Sequence, residues 1–147
     1  MASLRAAGIA IATVELVVGL DTFRPVMVDR LDDHRMHSER YRVPDATAAA
    51  IAQASRVVAV GTTTVRALEA AARSGPEGAT DIFIREPFDF QVVDLLMTNF
   101  HMPKSTLLVM IEAFIGPRWR DLYAEALASD YRFLSFGDAM LLDRTAR

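Results

Sequence analysis

An α/β domain is the fold class this sequence predicts, and three observations predict it. Short apolar runs of strand length alternate with segments of helical period; 52% of the 147 residues are hydrophobic, enough for a real core; and no internal repeat or low-complexity stretch breaks the alternation. One domain over residues 1–147 is the expectation. The chain contains no cysteine, which excludes disulfides and thiolate metal sites. Its net charge of -3 argues against wrapping nucleic acid through bulk charge, while leaving room for a local basic patch. Residues 1–18 are moderately apolar, but Arg5 and Glu15 interrupt them and no clustered basic start precedes them. Neither a signal peptide nor a membrane helix is expected, and the cytoplasm is the expected location.

The elements follow in order. Residues 4–7 read as the end of a helix closed by Gly8, and residues 9–18 as a strand in which Val14, Leu16 and Val18 alternate with Thr13, Glu15 and Val17. A second strand is expected at residues 23–28. Asp45 is a good N-cap for an alanine-rich helix through Ala54, and residues 57–60 have the length and branching of a buried strand. A helix over residues 63–73 comes next, and Gly75-Pro76-Glu77-Gly78 is the clearest loop. Strands at 82–84, 90–93 and 95–97 precede a helix at 105–114 that Gly116-Pro117 stops. One more amphipathic helix at 119–128 leads to final strands at 133–136 and 140–142. The first helix is a stub, and the strand after it lacks evident neighbours in the later sequence, so the chain is expected to be an incomplete portion of a larger fold.

Three segments concentrate polar chemistry. In Leu96-Met97-Thr98-Asn99-Phe100-His101-Met102-Pro103-Lys104-Ser105-Thr106-Leu107-Leu108, histidine and lysine lie between an apolar strand and an apolar helix, where a plain connector would favour glycine or aspartate. The helix start places its dipole and Lys104 where an anionic group could be stabilised, and His101 where a proton could be exchanged. Phe100 reads first as a core residue and only second as a base-stacking surface. In Asp32-Asp33-His34-Arg35-Met36-His37-Ser38-Glu39, the trio His34, His37 and Glu39 could ligate a metal or form a proton-transfer group; a solvated polar loop is the bland alternative. In Val60-Gly61-Thr62-Thr63-Thr64-Val65-Arg66, a strand passing through glycine and threonines into a helix outlines an anion site, with an ordinary capped turn as its rival.

These segments, with Tyr131-Arg132-Phe133-Leu134-Ser135-Phe136-Gly137-Asp138-Ala139-Met140, resemble the S-adenosylmethionine:tRNA ribosyltransferase-isomerases of queuosine biosynthesis. The resembling motifs are Thr-Asn-Phe-His-x-Pro-x-Ser-Thr-Leu, His-x-Met-His-x-Glu, Val-Gly-Thr-Thr-x-x-Arg-x-Leu-Glu and Tyr-Arg-Phe-x-Ser-x-Gly-Asp-Ala-Met, and the resemblance as a whole runs from about Leu4 to Leu142. The resemblance implies the C-terminal part of a catalytic domain, a mixed-sheet or distorted α/β-barrel-like fold whose N-terminal half and inserted β-barrel are absent here.

It implies S-adenosylmethionine and tRNA as substrates, no metal and no tightly bound cofactor. A separate N-terminal half or a homo-oligomer could complete the chain. Proton transfer is assigned to His37, Glu39 and His101. Substrate contact is assigned to His34, Gly61, Thr62, Thr63, Arg66, Asn99, Lys104, Ser105, Thr106 and Asp138. Three departures stand out: Val17 replaces a family histidine, Asp21 replaces a glycine, and Arg85-Glu86-Pro87-Phe88 replaces an aromatic-Pro-Gly-aromatic turn.

Overall fold

The structure, a computed structural model, describes residues 1–19 and 26–145. Its α-helices are α1 (Ala2–Ala6), α2 (Asp45–Gln53), α3 (Thr62–Ser74), α4 (Thr106–Ile115) and α5 (Trp119–Ala128). Its strands are β1 (Glu15–Val17), β2 (Glu39–Arg42), β3 (Val58–Val60), β4 (Glu77–Thr80), β5 (Leu95–Asn99) and β6 (Ala139–Asp143). They form two three-stranded sheets. β1-β2-β4 is antiparallel throughout, whereas in β3-β5-β6 the first pair is parallel and the second antiparallel. The mixed α/β class expected from the sequence is the class observed.

Helix α3 ties the sheets together because it is apolar on two sides. Val65 and Leu68, three residues apart, enter the main core with Ala59 of β3, Leu96 of β5 and Leu142 of β6. Ala67 and Ala70 turn to the other sheet, where their small side chains admit the Tyr41 ring of β2. Met110, Ile111 and Phe114 of α4 complete the main core. Burying each large apolar side chain there contributes roughly 1.5–3 kcal/mol. A smaller cluster of Phe100, Tyr123 and Ala126 packs α5 beneath the segment that follows β5.

Several local expectations need correction. The loop expected around Glu77-Gly78 is strand β4, because Gly78 sits opposite Tyr41 in the register and leaves room for its ring. Residues 90–93 are core-filling but not a strand: the Glu69 carboxylate accepts the N–H groups of Gln91, Val92 and Val93, at 2.9–3.0 Å, in place of a neighbouring strand. Residues 82–84 are likewise irregular, with Ile84 buried. Residues 9–14 lie outside any strand, with the Thr13 carbonyl taking the Thr47 hydroxyl at 2.7 Å, so β1 is three residues long.

At the C-terminal end a 3-10 turn, Leu134–Phe136, replaces the strand expected at 133–136; Leu134 has φ 61° and its N–H bonds the Phe100 carbonyl at 2.9 Å. Asp45 is the first residue of α2 and Pro44 its N-cap. In β3 only Ala59 is buried, so that strand is covered on one face rather than two. Of the strand expected at 23–28, residues 23–25 lie outside the described residues and 26–28 are not in a strand.

Candidate functional site at the carboxyl edge of the mixed sheet

Strands β3 and β5 run parallel, so their carboxyl ends open onto one edge, the edge where α/β sheets commonly receive ligands. β3 leaves through Gly61, whose φ of 89° favours a residue without a Cβ and whose N–H reaches the Met97 carbonyl at 2.8 Å. Thr62 and Thr63 then open α3, and no side chain caps that helix end; Thr64 Oγ1 donates instead to the Val60 carbonyl at 2.7 Å. The N–H groups of Thr64 and Val65 bond the Gly61 carbonyl, at 3.1 and 3.4 Å, so an anion at this helix end would be met by the N–H groups ahead of them, those of Thr62 and Thr63.

Arg66 lies one turn into α3 and is 3% exposed. Its Nη1 pairs with Glu39 Oε2, while Nε and Nη2 are buried with no acceptor among the described residues. Glu39, on the face of β2 that carries Tyr41, is equally buried, and its Oε1 accepts the Gly19 N–H at 3.1 Å. The pair thus bridges the antiparallel sheet to the helix that opens at the edge of the mixed one. Buried guanidinium N–H groups without acceptors are uncommon and costly, and a carboxylate or phosphate is the group that would satisfy them.

β5 delivers the second half of the edge. Asn99 Nδ2 donates to the Asp138 carbonyl at 2.9 Å, which joins this strand's end to the turn before β6. His101 follows: Nε2 lies 2.9 Å from Thr98 Oγ1, and its backbone N–H donates to the Tyr123 hydroxyl at 2.8 Å. Burial pushes the imidazole down to about 4, so near neutrality it is uncharged and acts as a polar or weakly basic group. Phe100 is 4% exposed and meets Tyr123, Tyr131 and Phe133, ring to ring, at 5.0–5.7 Å, which makes it a core residue.

Lys104 has φ 57°, and its carbonyl accepts the Val26 N–H at 2.7 Å. Its exposed side chain lines a cavity of about 490 Å³ together with Val26, Met27, Val28, Leu31 and Val109. Ser105 is the N-cap of α4: its Oγ accepts from Leu108 N and donates to the Met102 carbonyl. Thr106 is the buried first residue of that helix.

Asp138 closes a turn. Its Oδ2 takes the Arg132 N–H at 2.5 Å and Nε at 3.4 Å; the backbone bond, ahead of the side-chain one, holds its carboxyl below the ordinary range. The histidine-rich segment reaches these groups through its last residue, Glu39, the partner of Arg66. His34 packs on the Phe83 ring at 5.2 Å, Asp32 bridges Arg30 and Arg85, and His37 is exposed two residues before β2. Among the described residues no group of three or more histidine, aspartate or glutamate side chains could hold a metal ion.

Three residues that position the site were missed by sequence reasoning. Tyr123 and Thr98 fix His101, and nothing in their spacing marks Tyr123, which comes from a helix 22 residues away. Glu69 organises the run into β5; its only local sign is Arg73 one turn later, which bonds it at 2.8 Å. Of the departures, Val17 is exposed on β1, the Glu86–Pro87 peptide is cis, and Asp21 lies outside the described residues.

The pattern of the Queuosine biosynthesis protein family matches residues 1–142. A relative from Azoarcus sp. (strain BH72), named S-adenosylmethionine:tRNA ribosyltransferase-isomerase, is 58% identical over 96% of this chain and 44% of its own length. One of the same name from Rubrobacter xylanophilus is 55% identical over 92% of this chain and 41% of its own. The crystal structure of an S-adenosylmethionine tRNA ribosyltransferase from Thermotoga maritima superimposes with a TM-score of 0.77 at 42% identity, covering 95% of this chain and 47% of that one. The chain spans less than half the length of the curated relatives it matches, corresponding to a C-terminal part. On this fold, these motifs and this breadth of match, the chain belongs to the S-adenosylmethionine:tRNA ribosyltransferase-isomerase family of queuosine biosynthesis.

Proposed function

We propose that these residues form one α/β unit that supplies the C-terminal part of an S-adenosylmethionine:tRNA ribosyltransferase-isomerase. The whole enzyme would transfer and isomerise the ribosyl group of S-adenosylmethionine onto 7-aminomethyl-7-deazaguanine in a tRNA anticodon, giving epoxyqueuosine with loss of adenine and methionine. It would work in the cytoplasm, without a tightly bound cofactor or metal. The observation that carries the reading is the buried Arg66, one turn into α3, whose Nε and Nη2 have no acceptor among the described residues. A methionyl carboxylate has the two oxygens and the charge that this fork of donors recognises.

The assigned groups divide by environment. Gly61, Thr62, Thr63 and Arg66 anchor the anion. Asn99 and Asp138 hold the turn beside it, with Lys104, Ser105 and Thr106 at the start of α4. A proton must leave the carbon beside the sulfonium, and adenine must be helped to depart. His101, neutral near pH 7, suits a polar or weakly basic part in that chemistry, with His37 and Glu39 as the remaining candidates for proton transfer. His34 contributes from the 83–85 side.

Calorimetry with S-adenosylmethionine tests the anchor. Arg66→Lys keeps the charge but not the fork and should weaken binding by about 1–3 kcal/mol. An unchanged affinity in a folded variant removes Arg66 from the substrate site. Adenine release on a tRNA carrying the deazaguanine base tests the reaction. The 147 residues alone should give none detectable, because each missing donor or proton carrier costs about 10²-fold in rate; adding the region that relatives carry beyond the match should restore it.

A further inference from the structure

The two faces of the mixed sheet are unequally covered. Ala59, Leu96 and Leu142 point into the core beneath α3 and α4 and are at most 3% exposed. The opposite face is also apolar; Leu95 on it is buried, but the row beyond it is bare. Val60 pairs with Met97, and Met97 with Leu141, so the three side chains form one continuous row across β3, β5 and β6. Their exposures are 66%, 45% and 64%, and Val58, next along β3 on the same face, is 52% exposed. The row is rimmed at one end by charge, where Arg56 bonds Asp143 at 2.8 Å. At the other end β3 and β5 run into Gly61 and Asn99, the candidate site.

Single exposed apolar residues are ordinary, but a contiguous row spanning a whole sheet and rimmed by polar groups marks a surface that is meant to be covered. An α/β sheet acquires its second apolar layer from another part of the same fold. The relatives are more than twice as long as the segment that this chain matches, and their additional length lies outside that match.

We propose that the Val60-Met97-Leu141 face is the seam on which the remaining part of the family fold packs, and that this packing walls the candidate site at its sheet edge. That part, rather than a second copy of this chain, is the committed occupant. The relatives' excess length already supplies a layer for a sheet that, among the described residues, has helices packed on its Ala59-Leu96-Leu142 side. The inference rests on family membership and on burial, and it holds or fails independently of catalysis.

Thiol labelling tests it, because the chain has no cysteine of its own. Met97→Cys and Leu141→Cys would be made in this chain, and cysteines placed at the aligned positions of the full-length Azoarcus relative. Leu127→Cys serves as the control, being 66% exposed on α5 away from the sheet. Maleimide modification should be rapid at all three sites in this chain. In the full-length relative it should be slower by about a hundredfold at the two sheet positions, as expected for a covered surface that opens only locally, and unchanged at the control. Equal labelling in both proteins at Met97 and Leu141 overturns the proposal. So does slow labelling in this chain that speeds up on dilution, since a second copy would then be the occupant.

Discussion

The Glu39–Arg66 pair makes a prediction in which stability and ligand anchoring can be separated. Both side chains are at most 4% exposed, and each is the other's charge partner. Arg66→Met would leave a buried carboxylate without its guanidinium, and Glu39→Leu would leave a buried guanidinium whose Nε and Nη2 already lack acceptors among the described residues. Breaking a buried pair from one side costs about 3–5 kcal/mol, a large share of the 5–15 kcal/mol typical of a domain. Independent effects would therefore sum to about 6–10 kcal/mol in a double variant. Removing both charges in Glu39→Leu/Arg66→Met should instead cost about 2 kcal/mol or less, because apolar side chains of similar volume replace a pair whose desolvation is never fully repaid.

Urea denaturation followed by far-ultraviolet circular dichroism on the three variants measures this directly. If the double variant costs the sum of the singles to within about 0.5 kcal/mol, the pair is not coupled and the geometry argued here is wrong. Saturating S-adenosylmethionine adds the second readout. It should raise the stability of the wild type and leave the double variant unmoved, since a ligand stabilises only a state that binds it.

Three further outcomes are expected. Glu69→Gln should destabilise the protein by about 2–4 kcal/mol in the same assay, because the amide keeps one oxygen for the Val92 and Val93 N–H groups while its nitrogen cannot accept from the Gln91 N–H or from Arg73; a loss below about 1 kcal/mol would mean that this run is ordered by packing alone. His101 falls from 6.5 to about 4 on folding, so between those values only the unfolded chain takes up its proton and stability rises with pH; comparing the wild type with His101→Gln should show an added slope of up to about 1.4 kcal/mol per pH unit in that window and none above it, and parallel profiles would contradict the burial of the ring. Chelator treatment should leave the thermal midpoint and any S-adenosylmethionine binding unaltered, whereas stoichiometric zinc or iron in the purified protein would reopen the reading of His34, His37 and Glu39 as ligands.

What the sequence made legible was the part whose cause is local. The apolar run into Thr98 and the apolar helix from Thr106 declare a strand and a buried helix by composition alone, and the polar residues between them could only sit at the junction. Gly61 followed by threonines marked the start of α3 for the same reason. β4 was illegible because Glu-Gly-Ala-Thr has no strand character of its own and becomes a strand through Tyr41, which lies far away in sequence. Residues 90–93 were misread in the opposite sense: they have strand composition, but a carboxylate from α3 takes the bonds a neighbouring strand would have made. Among the site residues, spacing gave the place of Ser105 and Asp138 but not that one caps a helix and the other clamps a turn, since both depend on backbone partners that only the folded chain supplies.

The departure at Val17 can now be weighed by parity rather than by its identity. Strand side chains alternate between faces, and Leu16 faces Tyr41 and the α3 alanines, so Val17 points away from that helix and is 69% exposed. A histidine at this position would stand on the side of the sheet opposite the one on which Glu39 meets Arg66, and its replacement leaves that pair and the opening of α3 intact. What a histidine there could serve is whatever packs on, or binds to, the outer side of β1-β2-β4. The proposed anion anchor and the candidate site at the edge of β3 and β5 therefore survive the change, because the side chain at 17 and the Glu39–Arg66 pair stand on opposite faces of the sheet.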